Sequence, residues 1–415
     1  MIKKILLSGF ILLSLPSFAQ EGTASPYSYN GIGIVKFQGT VENKSMGGLG
    51  ILPDSIHINL QNPASLSALK LTTFSIAGTY NTVKLKNEAT AEKATRTTLD
   101  YLAMAFPIGK LGVSLGLMPY STVGYKIKNE KNITLPSSQV VTETLANNGT
   151  GGVSKVFVGA GYKITPKLSV GADMGYSFGK TESSSIYSRT DIQFATMEVN
   201  TASLNGVNFN SGAIYKSKLK KYDLVSSVTF SPATNLKSNN TRSTSTVPFA
   251  PSGEGIQETP IANSIIKIPT KFAFGAGLGE IKKWFIGFES TFQGSSNPGN
   301  TNNPNATFEN ATKIALGGYY IPNYNSFSNY LNKITYRAGF RHENTGLVIK
   351  NNPINDTALT LGFGLPVGGH VSNVNIGLEY GKKGTKKAGL IQENYMNISI
   401  GLSFNDRWFV KRKFD

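Results

Sequence analysis

The feature that most constrains this chain is an alternation with period two that runs, with interruptions, from Leu71 to Phe404. In "KLSVGADMGYSF", Leu168, Val170, Ala172, Met174, Tyr176 and Phe178 fall on one face, and Ser169, Gly171, Asp173, Gly175 and Ser177 on the other. "KFAFGAGL", "ALTLGFGL" and "MNISIGLSF" repeat the arrangement. Successive residues of a strand point to opposite sides of a sheet, so these segments are strands with one apolar face and one small or polar face. A soluble sandwich also alternates, and the connections separate the two cases. Short turns bearing Pro, Gly or Lys, such as "FPIGK" (106–110), "KITPK" (163–167) and "GEIKK" (279–283), are interleaved with long polar stretches at 127–150, 232–262 and 293–310. Short turns at one rim and long loops at the other describe an outer-membrane barrel. Fourteen strands fit between residues 70 and 404, an even number, as antiparallel closure with both termini in the periplasm requires. The predicted fold is all-β, a transmembrane antiparallel β-barrel with a plug in its lumen.

The first 19 residues supply the address. Lys3 and Lys4 precede an apolar run from Ile5 to Leu15, and Ser17-Phe18-Ala19 forms a small-residue cleavage site before Gln20. That run is too short to span a bilayer, and no later window is apolar enough for a spanning helix. The chain is expected to be exported and to reside in the outer membrane of a Gram-negative cell. It has no cysteine, so an exported chain of this length must be stabilised by sheet pairing instead of disulfides. The formal charge of +17 is concentrated in short clusters at 216–221, 382–387 and 411–413. An exported protein meets lipid headgroups and lipopolysaccharide, not nucleic acid, so those are the partners the charge implies.

Residues 20–69 are neither sheet nor linker. "MGGLGILPDSIHINLQNPASLSAL" (46–69) has no strand period, yet Ile51, Ile56, Ile58, Leu60, Leu66 and Leu69 are too aliphatic for a disordered tail. A barrel of fourteen strands leaves a lumen that leaks unless it is filled, and this segment is the natural filler. The stretch resembles the hatch signature of the FadL family of outer-membrane channels for hydrophobic compounds, most specifically at Asn62-Pro63-Ala64. "IPTKFAFGAGLGEIKKWFIGFESTF", "ITYRAGFRHEN" and "NISIGLSF" are similar to later parts of that family. The resemblance implies a fourteen-stranded barrel, an N-terminal hatch and lateral release of ligand through a gap in the third strand. The chain departs from the family at Ser65, where glycine is usual, and in its 10-residue tail. Some relatives of PorV type share the fold but serve secretion machinery. The expected organisation is a signal peptide at 1–19, a hatch at 20–69, the barrel at 70–405 and a periplasmic tail at 406–415.

Pro119 interrupts the third strand after Leu111, Val113, Leu115 and Leu117. Proline cannot donate to a ladder and belongs at an edge or a bulge. With Gly116 and Gly124 it predicts a local break, which the resemblance makes a lateral opening; the plainer alternative is that the strand leaves the membrane there. Asp173, Glu289, Lys313, Arg337, Arg341 and Glu379 point inward by alternation and need partners or water. They read as a ladder holding hatch to wall, or, for Arg337 and Arg341, as a seat for an anionic head, with Met118, Tyr120 and Phe157 lining a path for an apolar tail. "GVSLG" (112–116) and "GYSFG" (175–179) match a nucleophile elbow only in letters, because each serine lies mid-strand and not at a strand-to-helix turn. His57, His342 and His370 are not placed to serve them or to bind metal. No enzyme, metal or cofactor is expected. Phe404 closes a strand as barrel-insertion machinery would read it during biogenesis, and Trp408 and Phe409 follow as an interfacial anchor or a docking element. Two functions stand: passive uptake of small hydrophobic compounds, fatty acid-like or otherwise apolar, or a PorV-like partner of an envelope protein complex.

Overall fold

In the computed structural model, residues 22–88, 90–247, 257–295, 305–368 and 372–407 are described. The leader, the tail residues Trp408 and Phe409, and His370 lie outside them. A two-residue strand, β1 (Ile34–Val35), belongs to the N-terminal segment. The wall begins with β2 (Thr72–Lys86), β3 (Ala91–Ile108), β4 (Leu111–Thr134), β5 (Val140–Lys163), β6 (Leu168–Arg189) and β7 (Ala195–Leu219). Its seventh span is β8 (Tyr222–Ser231) continued by β9 (Thr234–Val247), and its eighth joins β10 (Gln257–Pro260), β11 (Ser264–Ile268) and β12 (Lys271–Glu280). Then follow β13 (Trp284–Gln293), β14 (Ala306–Phe308) with β15 (Ala311–Tyr320), β16 (Thr335–Ile349), β17 (Asn352–Val367), β18 (Ser372–Lys383) and β19 (Gln392–Asp406). Every neighbouring pair is antiparallel, and β19 closes on β2 from Thr72↔Asp406 to Lys86↔Gln392. The result is a closed fourteen-span barrel. The rim carrying Thr72 and Asp406 is the periplasmic one by the convention of even-stranded barrels.

The alternation is inverted relative to a soluble protein. Met174, Tyr176, Leu359, Leu361 and Ile400 are all more than half-exposed or close to it on the outside, whereas Ser177, Ser399 and Ser403 are fully buried inside. An apolar outer belt over a polar interior is stable only where lipid replaces water outside.

Two of the long polar stretches are strand over most of their described residues, while 296–304 of the third lies outside the described residues. β4 and β5 stay paired from Leu111↔Tyr162 to Thr134↔Val140, so most of 127–150 is hairpin. Within 232–262, β9 pairs with β10 and β11. The expectation failed because the ladder needs only backbone partners; above the bilayer, Thr, Ser and Asn serve as well as apolar residues. The basic clusters also divide. Lys216–Lys221 sits at the periplasmic turn between β7 and β8, away from lipopolysaccharide, 382–387 lies at the outer rim, and 411–413 lies outside the described residues.

From Gly39 to Leu71 the N-terminal segment runs inside the barrel. Leu66, Leu69, Ile58 and Val41 form one buried cluster with Tyr101, Met118 and Phe157 of the wall. Met46, Leu49, Ile51 and Ala64 form a second with Ile214, Val225 and Phe285. Each fully buried Leu or Ile contributes about 1.5–3 kcal/mol, which is why a segment without regular structure stays docked.

Candidate functional site

Asn62-Pro63-Ala64 opens a 3₁₀ turn, Pro63–Ala68, and the Asn62 side chain caps it by accepting from the Ala64 N–H at 3.0 Å. Ser65, at the position where a glycine is usual, donates its hydroxyl to the Asn62 carbonyl at 2.7 Å. The turn lies directly on glycines of four consecutive wall strands. A Cβ on Gly112 of β4 would overlap the Leu66 carbonyl, one on Gly161 of β5 the Pro63 carbonyl, one on Gly171 of β6 the Pro63–Ala64 peptide, and one on Gly212 of β7 the Asn62 amide. Across the lumen, Gly317 and Gly339 receive Met46 and Gly47 in the same way. Hatch and wall therefore touch backbone to backbone. The four-residue helix Val41–Lys44, begun by a Thr40–Asn43 capping box, carries Glu42 and Lys44 into the seam between them.

The inward charges converge on this interface. Arg341 reaches Glu379 at 2.8 Å and Asp356 at 3.2 Å and donates to the Tyr395 hydroxyl at 2.7 Å. Glu379 also meets Lys44 of the hatch at 3.6 Å. Glu289 accepts from the Gly50 N–H at 2.8 Å, Asp173 accepts from Asn210 at 2.8 Å, and the Lys313 ammonium stands 5.9 Å from the Phe37 ring centre. Arg337 donates to Asn375 at 2.9 Å, and Asn375 donates on to Glu42 of the hatch at 2.8 Å. Neither arginine stands ready for a ligand head, since wall groups already engage both and two of those groups, Glu379 and Asn375, link them to Lys44 and Glu42 of the hatch. Glu42, Lys44, Asp356, Asn375 and Tyr395 were not singled out in the sequence; Asn375 was legible only as an inward position of "NVNIGLEY".

The relay from Arg337 ends at the periplasmic mouth, where His57 lies 3.7 Å from Glu42 and 2.9 Å from Asp54. Burial alone would lower the imidazole pKa, but the Asp54 charge and hydrogen bond, helped by Glu42, outweigh it and raise it. For Asp54, burial pushes up and His57 pulls down more strongly, to about 2; its side chain is a third exposed, so water weakens the pair. The sign follows. His57 contributes fully below the unfolded imidazole value near 6.5, and the contribution is lost as pH rises through the raised folded value. Asp54 contributes above its unfolded value and is lost only as pH falls toward 2. We expect protease cleavage of the hatch from the periplasmic side to quicken as pH passes above the His57 value. In His57→Gln the rate should be flat over that range. A wild-type rate that does not change with pH would show that the pair does not hold the hatch.

The third wall span behaves unlike its neighbours. β3 and β4 pair only from Ile108↔Leu111 to Leu102↔Leu117. Above that, β4 stays on β5 but shifts register between Pro119↔Ser154 and Ser121↔Val153, with Tyr120 as the extra residue. The Pro119 carbonyl accepts from Gln38 of the hatch at 3.0 Å, so the donor that proline lacks falls on the same, unpaired side. The N-terminal segment fills this side. Ile34 and Val35 pair with Thr122 and Ser121, and the Lys36 N–H donates to the Tyr120 carbonyl at 2.9 Å. Ser121 donates to the Ile32 carbonyl at 2.8 Å, and the Gly124 N–H donates to the Ser28 hydroxyl at 3.1 Å. Lys36 reaches across to Thr98 of β3 at 3.4 Å. The expectation placed 20–69 wholly in the lumen; residues 28–38 instead complete the side wall.

Gly116 accommodates the Phe157 ring, which would meet any Cβ there at 2.7 Å. Met118 and Phe157 are buried against Leu66 and Leu69, and Tyr120 is half-buried beside the bulge. Behind the seam lies a cavity of about 180 Å³ lined by Ile34, Phe37 and Pro119 together with Lys36, Lys44, Asp100, Arg341 and Glu379. Ser114 and Ser177 both sit mid-strand, within β4 and β6. Among the described residues no cluster of His, Asp or Glu is arranged to hold a metal ion.

The model of the BamG family matches residues 1–415. No curated protein sequence matches the chain. In structure it is similar to the CymD monoaromatic hydrocarbon channel, at 14% identity over 88% of this chain and 97% of that one, TM-score 0.57. It is likewise similar to the Pseudomonas putida toluene transporter TodX (14%, 89% and 98%, 0.53) and to a Pseudomonas aeruginosa FadL homologue (11%, 91% and 100%, 0.58). At such identities the likeness concerns the fold, which is that of FadL-like outer-membrane barrels.

Proposed function

The chain belongs to the BamG family, and from that premise we propose that it is a laterally gated outer-membrane channel for small hydrophobic compounds. The observation that carries this reading is the side of β4 above Leu117 that β3 leaves unpaired, closed by a few bonds from residues 28–38. A wall strand joined by a few hydrogen bonds opens at far lower cost than one joined along its whole length. The structural neighbours named for hydrocarbons and toluene support the same reading. In it, a compound enters between hatch and wall, passes Met118, Tyr120 and Phe157, and leaves beside Gly116, Pro119 and Gly124 once the N-terminal segment withdraws. No cofactor takes part.

The test exploits the absence of cysteine from the chain. Val35 and Ser121 face each other in register, at a spacing a disulfide bridges. Val35→Cys/Ser121→Cys, oxidised in proteoliposomes, should lose at least about tenfold of its toluene and oleate uptake (1.4 kcal/mol in barrier) and regain it on reduction. Equal uptake in both redox states, or none in wild type, would remove the channel reading.

A second reading is favoured by the charged side chains in the lining of the cavity, among them Lys36, Lys44, Asp100, Arg341, Asp356 and Glu379, since apolar ligands prefer sites walled by hydrophobic and aromatic groups. In it the barrel is sealed, and it serves an envelope complex as a docking partner. A stoichiometric protein companion in native mass spectra of gently extracted membrane, with wild type impermeable, would select it.

A further inference from the structure

Three successive periplasmic turns each set a lysine over an aromatic ring. At the β7–β8 turn the Lys221 ammonium stands 5.2 Å from the Tyr222 ring centre. At the β12–β13 turn Lys282 stands 4.2 Å from Tyr324, and in the β15–β16 connection Lys333 stands 5.7 Å from Phe327. These turns are neighbours in space because β8 pairs with β12 and β13 with β15, and Tyr222 packs edge-on to Trp284 at 5.4 Å between them. Among the described residues, none of the three lysines is in an ion pair, whereas the adjacent Lys283 is held by Glu280 at 2.6 Å.

The β15–β16 connection, residues 321–334, is ordered by its own bonds. The Asn323 N–H donates to the Asn332 carbonyl at 2.9 Å, and Asn329 caps the turn Tyr330–Lys333 at 3.0 Å. It is folded toward the outside of the barrel. Tyr336 belongs to the outward set of β16 with Phe340, and its hydroxyl donates to the Leu331 carbonyl at 3.1 Å. Tyr330 donates to the Pro366 carbonyl on the next rim position at 3.1 Å. Yet Phe327 is 98% exposed and Leu331 60%. A fixed loop that presents a bare phenyl ring beside ammonium groups, on the lipid side of the periplasmic rim, is matched to the headgroup layer of the inner leaflet. Aromatic rings settle there, and cations there meet phosphate.

We infer that this arc is a binding site for anionic phospholipid of the inner leaflet, with Lys221, Lys282 and Lys333 meeting the phosphate-bearing headgroup and Phe327 and Leu331 its first acyl carbons. The inference is independent of whether the side wall opens. A lysine over a ring keeps its charge while its stem is held still, so less freedom is lost when a headgroup arrives.

The protein would be reconstituted in nanodiscs of phosphatidylcholine with a fifth of phosphatidylglycerol, then extracted, and the retained lipid counted by native mass spectrometry. Wild type should retain phosphatidylglycerol over phosphatidylcholine. Lys221→Gln/Lys282→Gln/Lys333→Gln should lower that retention at least tenfold while keeping the barrel's heat-modifiable gel mobility, and Phe327→Ser should lower retention of both lipids. Equal retention of the two lipids by wild type, or unchanged phosphatidylglycerol in the triple variant, would overturn the inference. Retention of neither lipid would overturn it too and leave the loop free for a periplasmic protein.

Discussion

Replacing Gly161 and Gly171 together by valine should unseat the hatch without unfolding the barrel. Each glycine lies under the backbone of the Asn62-Pro63-Ala64 turn, on β5 and β6. A backbone atom cannot swing aside as a side chain can, so each added Cβ must lift the turn or bend the strand. Overpacking of this kind costs about 1–3 kcal/mol per site. Valine itself suits a strand, so the penalty falls on the closed state and not on the wall. A shift of even 1–2 kcal/mol changes a two-state population by roughly 5–30-fold, and the pair should exceed that. In planar bilayers the double variant should show frequent large conductance steps where wild type is silent. Cells carrying it should become sensitive to a bulky antibiotic that the intact barrel excludes. Gly294→Val is the control, because a Cβ there meets nothing closer than 3.6 Å. A folded Gly161→Val/Gly171→Val barrel as silent as wild type would show that the hatch is not held by this backbone contact.

The same glycines show how far the sequence could be read. Their inward register, with Ser and Asn, was plain from the alternation, and so were the fourteen spans, because lipid enforces an apolar residue at every second position. The alternation cannot say what a glycine faces. That depends on a partner segment more than 40 residues away whose own path has no period. The polar parts of β4, β5 and β9 read as loops because the rule that reveals membrane strands is a rule about lipid, and it lapses where the strands rise above it. Pro119 was legible as a defect in the ladder. That Ile34 and Val35 close the gap beside it was not, since two residues are too few to carry a periodicity. The alternation turns Arg337 and Arg341 inward but leaves open whether they wait for a ligand or serve the hatch; Asn375 and Glu379, which link them to Glu42 and Lys44, come from another element.

Arg341 offers the second large effect. It stands between Glu379 at 2.8 Å and Asp356 at 3.2 Å, with Glu379 only 5% exposed. Arg341→Met keeps the length of the side chain and removes its charge, leaving two carboxylates facing each other with Lys44, 3.6 Å from Glu379, beside them and only neutral donors, Asn397 on Glu379 and Tyr395 on Asp356, to replace the guanidinium. Removing one partner of a buried pair costs about 3–5 kcal/mol, because the charge left behind has lost its compensation. Equilibrium urea unfolding in lipid vesicles should show that loss as a lowered midpoint at unchanged slope. Adding Glu379→Gln should recover part of it, since the neutral amide no longer repels Asp356, so the two substitutions should be far from additive. Lys283→Gln at the exposed pair with Glu280, by contrast, should change stability by no more than about 1 kcal/mol. Salt should separate the two sites further, because mobile ions screen an exposed pair and scarcely reach a buried one. If Arg341→Met proved as stable as wild type, or the double variant merely summed the singles, the cluster would have to be hydrated in the native barrel. The cavity behind the seam would then be open to water at rest, and the N-terminal segment would close the wall to lipid without closing it to solvent.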